Sequence, residues 1–390
     1  MTSSSRATGH LVIGGGLAGS MVGMRLAAAG REVTVLERER AAHHKVCGEF
    51  LSHEAVEYLH QLGIDPLALG AAPIRYTRLS VKRRVVEAAL PFTALSLSRH
   101  ILDEAILARA AQSGCHVQRG AFVESLTSRD NMWHAELREG NSWSAPTVFL
   151  ANGKHDLRGL NREPCAQADL VGFKMHMRLS PSQTNALREF MELFLFPGGY
   201  GGLSLVEEDT ANFCLVVRRS ALRKIGGWTE LLTSLQDENP HLAQRLSGST
   251  ALWDRPLAVS SIPYGYLASR PNGLWCVGDQ AAVIPSFTGD GMSIALHSAA
   301  LAARMYLAHE SAEQYFRELH THLSRRMTLA TTLSRTMVTS LGRTMVPFGL
   351  SLVPQAIRWI ASWTRIPKQA MVPRPTAMRD MPASRIPLRS

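Results

Sequence analysis

His10-Leu11-Val12-Ile13-Gly14-Gly15-Gly16-Leu17-Ala18-Gly19 is the stretch that decides the fold. Residues 10–14 read as a short buried strand. A helix follows from Ser20 to Ala29, Gly30 stops it, and Glu32–Leu36 reads as a second strand ending at Glu37. The whole is a βαβ unit with glycines at 14, 16 and 19, another at 23, and an acid about twenty residues on. Each part has a physical task. Gly14 permits a tight turn and Gly16 lets backbone approach a pyrophosphate, while Gly19 and Gly23 let the helix pack closely on the sheet. Leu17 and Ala18 are counted with the cofactor-binding loop, and the N-terminus of the helix that follows supplies free N–H groups and a positive dipole end for phosphate. Glu37 would take adenosine ribose hydroxyls. The competing reading is a glycine-rich turn in an unrelated α/β fold.

The chain has 390 residues, enough for two or three domains or one large α/β unit with an inserted piece. Hydrophobic residues at 45% and charged residues at 19% fit a globular protein and exclude wholesale disorder. The five cysteines form no CxxC and no zinc-ligand spacing, so a disulfide framework and a structural zinc site are not expected. No HExxH, DxD or Ser–His–Asp pattern stands out, and no metal site is expected. The start, residues 1–10, has no signal-type apolar region before the first motif, so a cytoplasmic location is expected. The net charge of +10 is not a nucleic-acid footprint. Residues 323–390 hold eleven Arg or Lys and one acid, whereas the first 322 residues hold 31 of each sign.

The fingerprint alone does not separate NAD from FAD. Two later segments do. Ser96-Leu97-Ser98-Arg99-His100-Ile101-Leu102-Asp103 opens a helix through Ala111. Gly273–Asp279 is an apolar strand ending in Gly-Asp, followed by Thr288-Gly289-Asp290-Gly291-Met292 and a long apolar helix to about Ala308.

With these motifs the sequence resembles the FAD-dependent oxidoreductases of the p-hydroxybenzoate hydroxylase superfamily, and within it the geranylgeranyl reductase branch. The resemblance covers roughly residues 8–310. It is carried by 14–19 with Glu37, Lys45–Ser52, Arg99, Gly172–His176 and Val277–Ser293. It implies an α/β fold: a Rossmann-type FAD-binding domain, an inserted antiparallel β-sheet substrate domain and a helical C-terminal segment. It implies FAD as cofactor, with Asp279 accepting from the ribityl chain, Gly278 near the pyrophosphate, and Gly289 and Gly291 leaving space beside the isoalloxazine ring. The first amides of the following helix, from Gly291 and Met292, would face the flavin N1/O2 edge, where charge accumulates on reduction. Arg99 would contact the phosphates or ribityl chain. The alternative for Arg99 is a surface arginine at a helix start, where the dipole disfavours it.

One motif departs from the family pattern. Many relatives carry Asp-Gly after the strand preceding the second domain, whereas Thr147–Ala151 here ends in Asn152-Gly153. The geranylgeranyl-reductase-like branch often has a neutral residue there, so the departure counts against a hydroxylase more than against the fold.

The expected domains are 8–72, 96–162 and 267–308 for FAD, 73–95 and 163–266 for substrate, C-terminal helices at 309–368, and a disordered basic tail at 369–390. In Val171–Leu179, Val171, Phe173, Met175, Met177 and Leu179 alternate with Lys174, His176 and Arg178, which predicts a half-buried antiparallel strand. The Met- and Phe-rich face is either a surface for a greasy substrate or simply domain core. In the family resemblance, Cys47 lies near flavin and substrate, where it would donate a proton or tune the site. The alternative is a small buried core cysteine. His43, His44 and His155 are expected to be solvated loop side chains.

Met345–Trp363 carries one charge, Arg358, and is broken by Pro347 and Pro354. It is marginal for a spanning helix. Trp359 and Trp363 beside Arg358, Arg365 and Lys368 fit an interfacial helix on anionic lipid, a peripheral attachment to the inner membrane face. The other reading docks this helix on the substrate domain. The function expected is reduction of a C=C bond in a small apolar substrate of isoprenoid or polyketide type, with NAD(P)H or another reductant as electron donor. An aromatic monooxygenase using NAD(P)H and O2 is the alternative, and an FAD-bound electron carrier or scaffold is the reading from another class. A halogenase is disfavoured, because Ser261-Ile262-Pro263 lacks the paired tryptophans of W-x-W-x-I-P.

Overall fold

A computed structural model describes residues 5–163, 165, 167–269, 273–339, 363–375 and 378. Five parallel strands form the first sheet, in the order Trp275–Cys276, Thr147–Leu150, His10–Ile13, Val33–Glu37 and His116–Arg119. Parallel strands are covered on both faces, which is why these segments read as continuous apolar runs. On one face Val12, Val35 and Phe149 pack under the helices Leu17–Ala28, Arg99–Gln112 and Gly291–Leu307. On the other, Leu11, Leu36 and Val148 pack with Trp143 and Leu126 of a meander running from Val123 to Ala145.

The second sheet gathers Ala72–Val81 and Arg84–Ser96 with Leu170–Arg178, Glu189–Phe196, Gly199–Leu205 and Ala211–Arg218. Its pairings are antiparallel except one. Glu189–Phe196 runs parallel to Ala72–Val81. These two strands come from separate stretches of chain, so no hairpin constrains their direction. Phe50–Leu51, just after Cys47, pairs with the end of Arg84–Ser96 and ties the loop to this sheet.

The C-terminal helix Ala312–Met337 bridges the two units. Tyr315, Leu319 and Leu323 join the core of the first, and Met337 with Val338 joins Tyr200, Leu195 and Tyr264 of the second. The apolar stretch expected to lie at a lipid interface, with Arg358 and Trp359, falls outside the described residues apart from its last member. Trp363 is 72% exposed. Arg365, assigned to the same lipid face, is instead buried on Asp290. The tail expected to be disordered from 369 is corrected for its described part. Val372 and Met378 are buried, the Val372 amide donates to Tyr58 Oη at 3.0 Å, and Arg25 donates to the Pro373 carbonyl. Apolar side chains spaced between the prolines supply the anchor that a count of charges and prolines conceals. Among the described residues no helix is long and apolar enough to cross a membrane.

Candidate functional site

Gly14 adopts φ 105°, and a Cβ there would meet the Ala151 carbonyl at 2.4 Å. The fingerprint loop is pinned from beyond by Glu37. Its Oε2 accepts from the Gly15 amide at 2.7 Å and its Oε1 from the Glu39 amide at 2.9 Å. An ionised carboxylate has about four acceptor sites, so capacity remains for a ligand. Gly14, Gly16, Leu17, Ala18, Glu37, Arg99, Gly278, Asp279, Gly289, Gly291 and Met292 all line one cavity of about 480 Å³. Gly19 lies beneath it, in the helix–sheet contact.

Opposite Gly16 stands a cationic pair. Arg99 grips Asp103 through Nε and Nη2 at 2.6 and 2.8 Å, and Lys45 Nζ reaches the same carboxylate at 2.7 Å. Burial opposes the Asp103 charge, but Arg99 and Lys45 outweigh it and hold the carboxyl down to about 2. Two cations and one anion therefore face the phosphate end of the helix. A Cβ on Gly16 would lie 3.5 Å from Lys45 Nζ and 3.6 Å from Arg99 Nη2. The surface-arginine alternative for Arg99 does not describe this position.

At the other end, Asp279 sits in a short turn tied down by neighbours. Gly278 N donates to Ser298 Oγ at 2.9 Å, and Gln280 Nε2 donates to the Gly153 and His155 carbonyls at 2.6 and 2.9 Å. That links the Asp279 turn to the Asn152 loop. Asn152 Oδ1 is buried with no partner among the described residues, although Nδ2 donates to the His155 carbonyl. An orphaned acceptor, a glycine cradle facing two cations, and helix-start amides at Gly291 and Met292 together fit a bound dinucleotide.

A second cavity of about 170 Å³ abuts the first and shares Gly48, Phe50, Cys214, Ser286 and Gly289 with it. Its walls are apolar: Leu79, Met191, Leu193, Leu195, Leu215, Leu333 and Met337. The Met- and Phe-rich face of Leu170–Arg178 is elsewhere. Met175 and Met177 pack with Leu231, Leu235 and Leu242 as domain core. The greasy surface is supplied instead by neighbouring strands and the C-terminal helix.

Cys47 lies on the wall of the larger cavity. Beyond it the other face of Leu170–Arg178 departs from expectation: Lys174 is 0% and His176 4% exposed. Both hold Glu49, also fully buried. Lys174 Nζ donates to Oε1, and His176 Nε2 pairs with Oε2 at 3.0 Å. Burial opposes the Glu49 charge, yet His176 and Lys174 keep its carboxyl below the usual range. His44, Glu49 and His176 have donor atoms within 4.8 Å of one another. The Lys174 ammonium already balances this carboxylate, so the group reads as an ion-pair cluster. His44 is not simply solvated. Its ring stacks on His100 at 4.8 Å and contacts Trp253, and burial followed by the Lys174 charge brings it down to about 4. His43 and His155 also line the large cavity. Lys45, Asp103, Glu49, Lys174 and His176 were given no site role from sequence, although Lys45 and Glu49 lie in the 45–52 stretch and Lys174 and His176 in the 172–176 stretch that carry the resemblance. Their signal was the Lys and Glu flanking Cys47 and the alternating cations of Leu170–Arg178.

A family model described as "FAD binding domain" matches residues 7–148. The chain is an FAD-dependent oxidoreductase carrying that domain, the class its motifs imply. Its relatives include the menaquinone reductase of Mycolicibacterium smegmatis, 25% identical over 76% of this chain and 75% of the relative. They also include digeranylgeranylglycerophospholipid reductase 2 of Methanopyrus kandleri, 24% identical over 73% of each. Among solved structures, a geranylgeranyl bacteriochlorophyll reductase-like protein from Thermoplasma acidophilum shares the fold at TM-score 0.71, with 19% identity over 94% of this chain and 95% of that one. The myxobacterial chondrochloren halogenase shares it at TM-score 0.73, with 19% identity over 92% and 91%.

Proposed function

We propose that this protein reduces a C=C bond of an apolar, isoprenoid-type substrate using bound FAD, with NAD(P)H or another reductant as electron source. One observation carries the reading. The apolar cavity meets the dinucleotide-fitting cavity along Gly48, Phe50, Cys214, Ser286 and Gly289, so a greasy substrate and the redox ring would share one wall. Two relatives named for reducing menaquinone and a digeranylgeranylglycerophospholipid support the direction.

In this reading Gly14, Gly16, Leu17, Ala18 and the Arg99–Lys45 pair hold the phosphates. Glu37 takes the adenosine ribose, Asp279 the ribityl chain, and Gly278, Gly289, Gly291 and Met292 border the ring. FAD supplies the two electrons. The chain excludes water with Leu79, Leu193, Leu195 and Met337, and orients the substrate along the shared wall. Cys47, on the wall of the larger cavity, would hand a proton to the reacting end. The electron-carrier reading is disfavoured because a carrier needs no enclosed apolar cavity.

The test is oxygen consumption with NAD(P)H and polyprenyl substrate. The proposal expects saturated product and no stoichiometric oxygen uptake. Oxygenated product with matching uptake supports the monooxygenase instead.

A further inference from the structure

We infer that the buried Lys174–Glu49–His176 cluster holds the Cys47–Gly48 turn against the wall between the two cavities, with Glu49 as a positioning residue for Cys47. The starting point is a backbone anomaly. Glu49 has φ 57°, a conformation that L residues with a Cβ avoid. Such a residue persists where its surroundings over-determine it, and the contacts of Glu49 do so. Its carboxylate accepts from the Arg99 amide at 2.8 Å, from Lys174 Nζ and from His176 Nε2. Its carbonyl accepts from the Leu97 amide and Ser96 Oγ, each at 3.1 Å. Its amide faces Cys47 Sγ at 3.4 Å.

These contacts come from two different bodies of the protein. Arg99 begins the helix beside the fingerprint, while Lys174 and His176 sit on a central strand of the second sheet. Asn212, on the strand beside it, donates to the Cys47 carbonyl at 3.2 Å, and Lys154 reaches the Val46 carbonyl at 3.4 Å. The turn is thus clamped from both sides.

Burial makes the clamp stiff. Lys174 and Glu49 are each inaccessible to water, so either charge without the other would be an uncompensated ion in a low-dielectric interior. Trp253 closes the cluster, stacking on His176 at 4.8 Å with the Lys174 ammonium 5.9 Å from its ring. The inference builds on the reading of Cys47 as a reactive-face residue, but its test needs no substrate.

The test is the native-state alkylation rate of Cys47 by iodoacetamide in the FAD-loaded full chain, mapped by peptide mass, with buried Cys115 as internal control. Glu49→Gln and Lys174→Met should each speed Cys47 labelling at least about tenfold, the counterpart of losing one charge-assisted hydrogen bond of ~1.5 kcal/mol. The double variant Glu49→Gln/Lys174→Met removes both charges and should recover melting temperature while Cys47 stays fast. His176→Gln, a milder change, should give an intermediate rate. Where a reductase assay is available, kcat should fall with KM little changed. Unchanged Cys47 labelling in all four variants, or labelling that returns to the wild-type rate with melting temperature in the double variant, would show a merely structural cluster and overturn the inference.

Discussion

Gly19 packs directly beneath Gly14: a Cβ on Gly19 would sit 1.8 Å from the Gly14 carbonyl oxygen. No rotamer relieves that contact, because the obstacle is backbone. Gly19→Ala must therefore push the fingerprint helix off the sheet. Overpacking of this kind costs ~1–3 kcal/mol even where side chains can yield. The expected outcome is a lower melting temperature and loss of flavin absorbance after gel filtration. Gly16→Ala, whose Cβ would meet the side-chain ends of Lys45, Arg99 and Asp103 at ordinary contact distance, should fold and bind FAD more weakly. Normal FAD content in Gly19→Ala would contradict the assigned packing.

Asp279→Ala removes the acceptor proposed for the ribityl chain. A hydrogen bond to a charged group is worth ~1.5–3 kcal/mol, which corresponds to roughly ten- to a hundredfold weaker FAD. Equilibrium dialysis of the variant checks it, and unchanged affinity would remove Asp279 from the site.

The first βαβ unit was legible because its chemistry is local: glycines, a helix start and an acid at fixed spacing. The second sheet was legible as strands but not as two faces. Alternation in Val171–Leu179 correctly separated Met175 from Lys174, yet it carries no information on whether the polar side meets water. Lys174 is buried because Glu49, 125 residues earlier, meets it there. The apolar cavity was hidden for the same reason, since Leu79, Met191 and Met337 converge from three distant segments. The docking of 363–375 was hidden too, because Arg365 finds Asp290, and Val372 finds Tyr58, only in the fold.

Asp290 gives a pH signature. Burial raises its carboxyl from 3.8 to about 6, against the pull of Arg365 at 2.7 Å. A raised folded-state value means the protonated form is favoured by folding. The associated stability is fully present below pH 3.8 and is lost as pH rises through about 6. Two pH units correspond to about 3 kcal/mol. Urea titrations across this window should show that decline in the wild type and a flatter profile in Asp290→Asn. Parallel profiles would refute it.

The expectation of peripheral lipid binding rests on the basic excess after residue 322 and on exposed Trp363. Each basic residue near an anionic surface contributes ~1 kcal/mol, screened over ~10 Å at 0.1 M salt. Co-sedimentation should retain the full chain on anionic vesicles, less on neutral ones, and less again at high salt. Equal binding to both vesicle types at all salt levels, or none, would mean that the segment serves the protein alone.

The most direct test of the central reading is an anaerobic single turnover. Photoreduced, FAD-loaded protein is mixed with a polyprenyl substrate while flavin absorbance is followed and the product is weighed by mass spectrometry. The account predicts reoxidation of the flavin without oxygen and a product heavier by two hydrogens. Flavin that stays reduced until oxygen is admitted, with a product that then gains an oxygen atom, would contradict it.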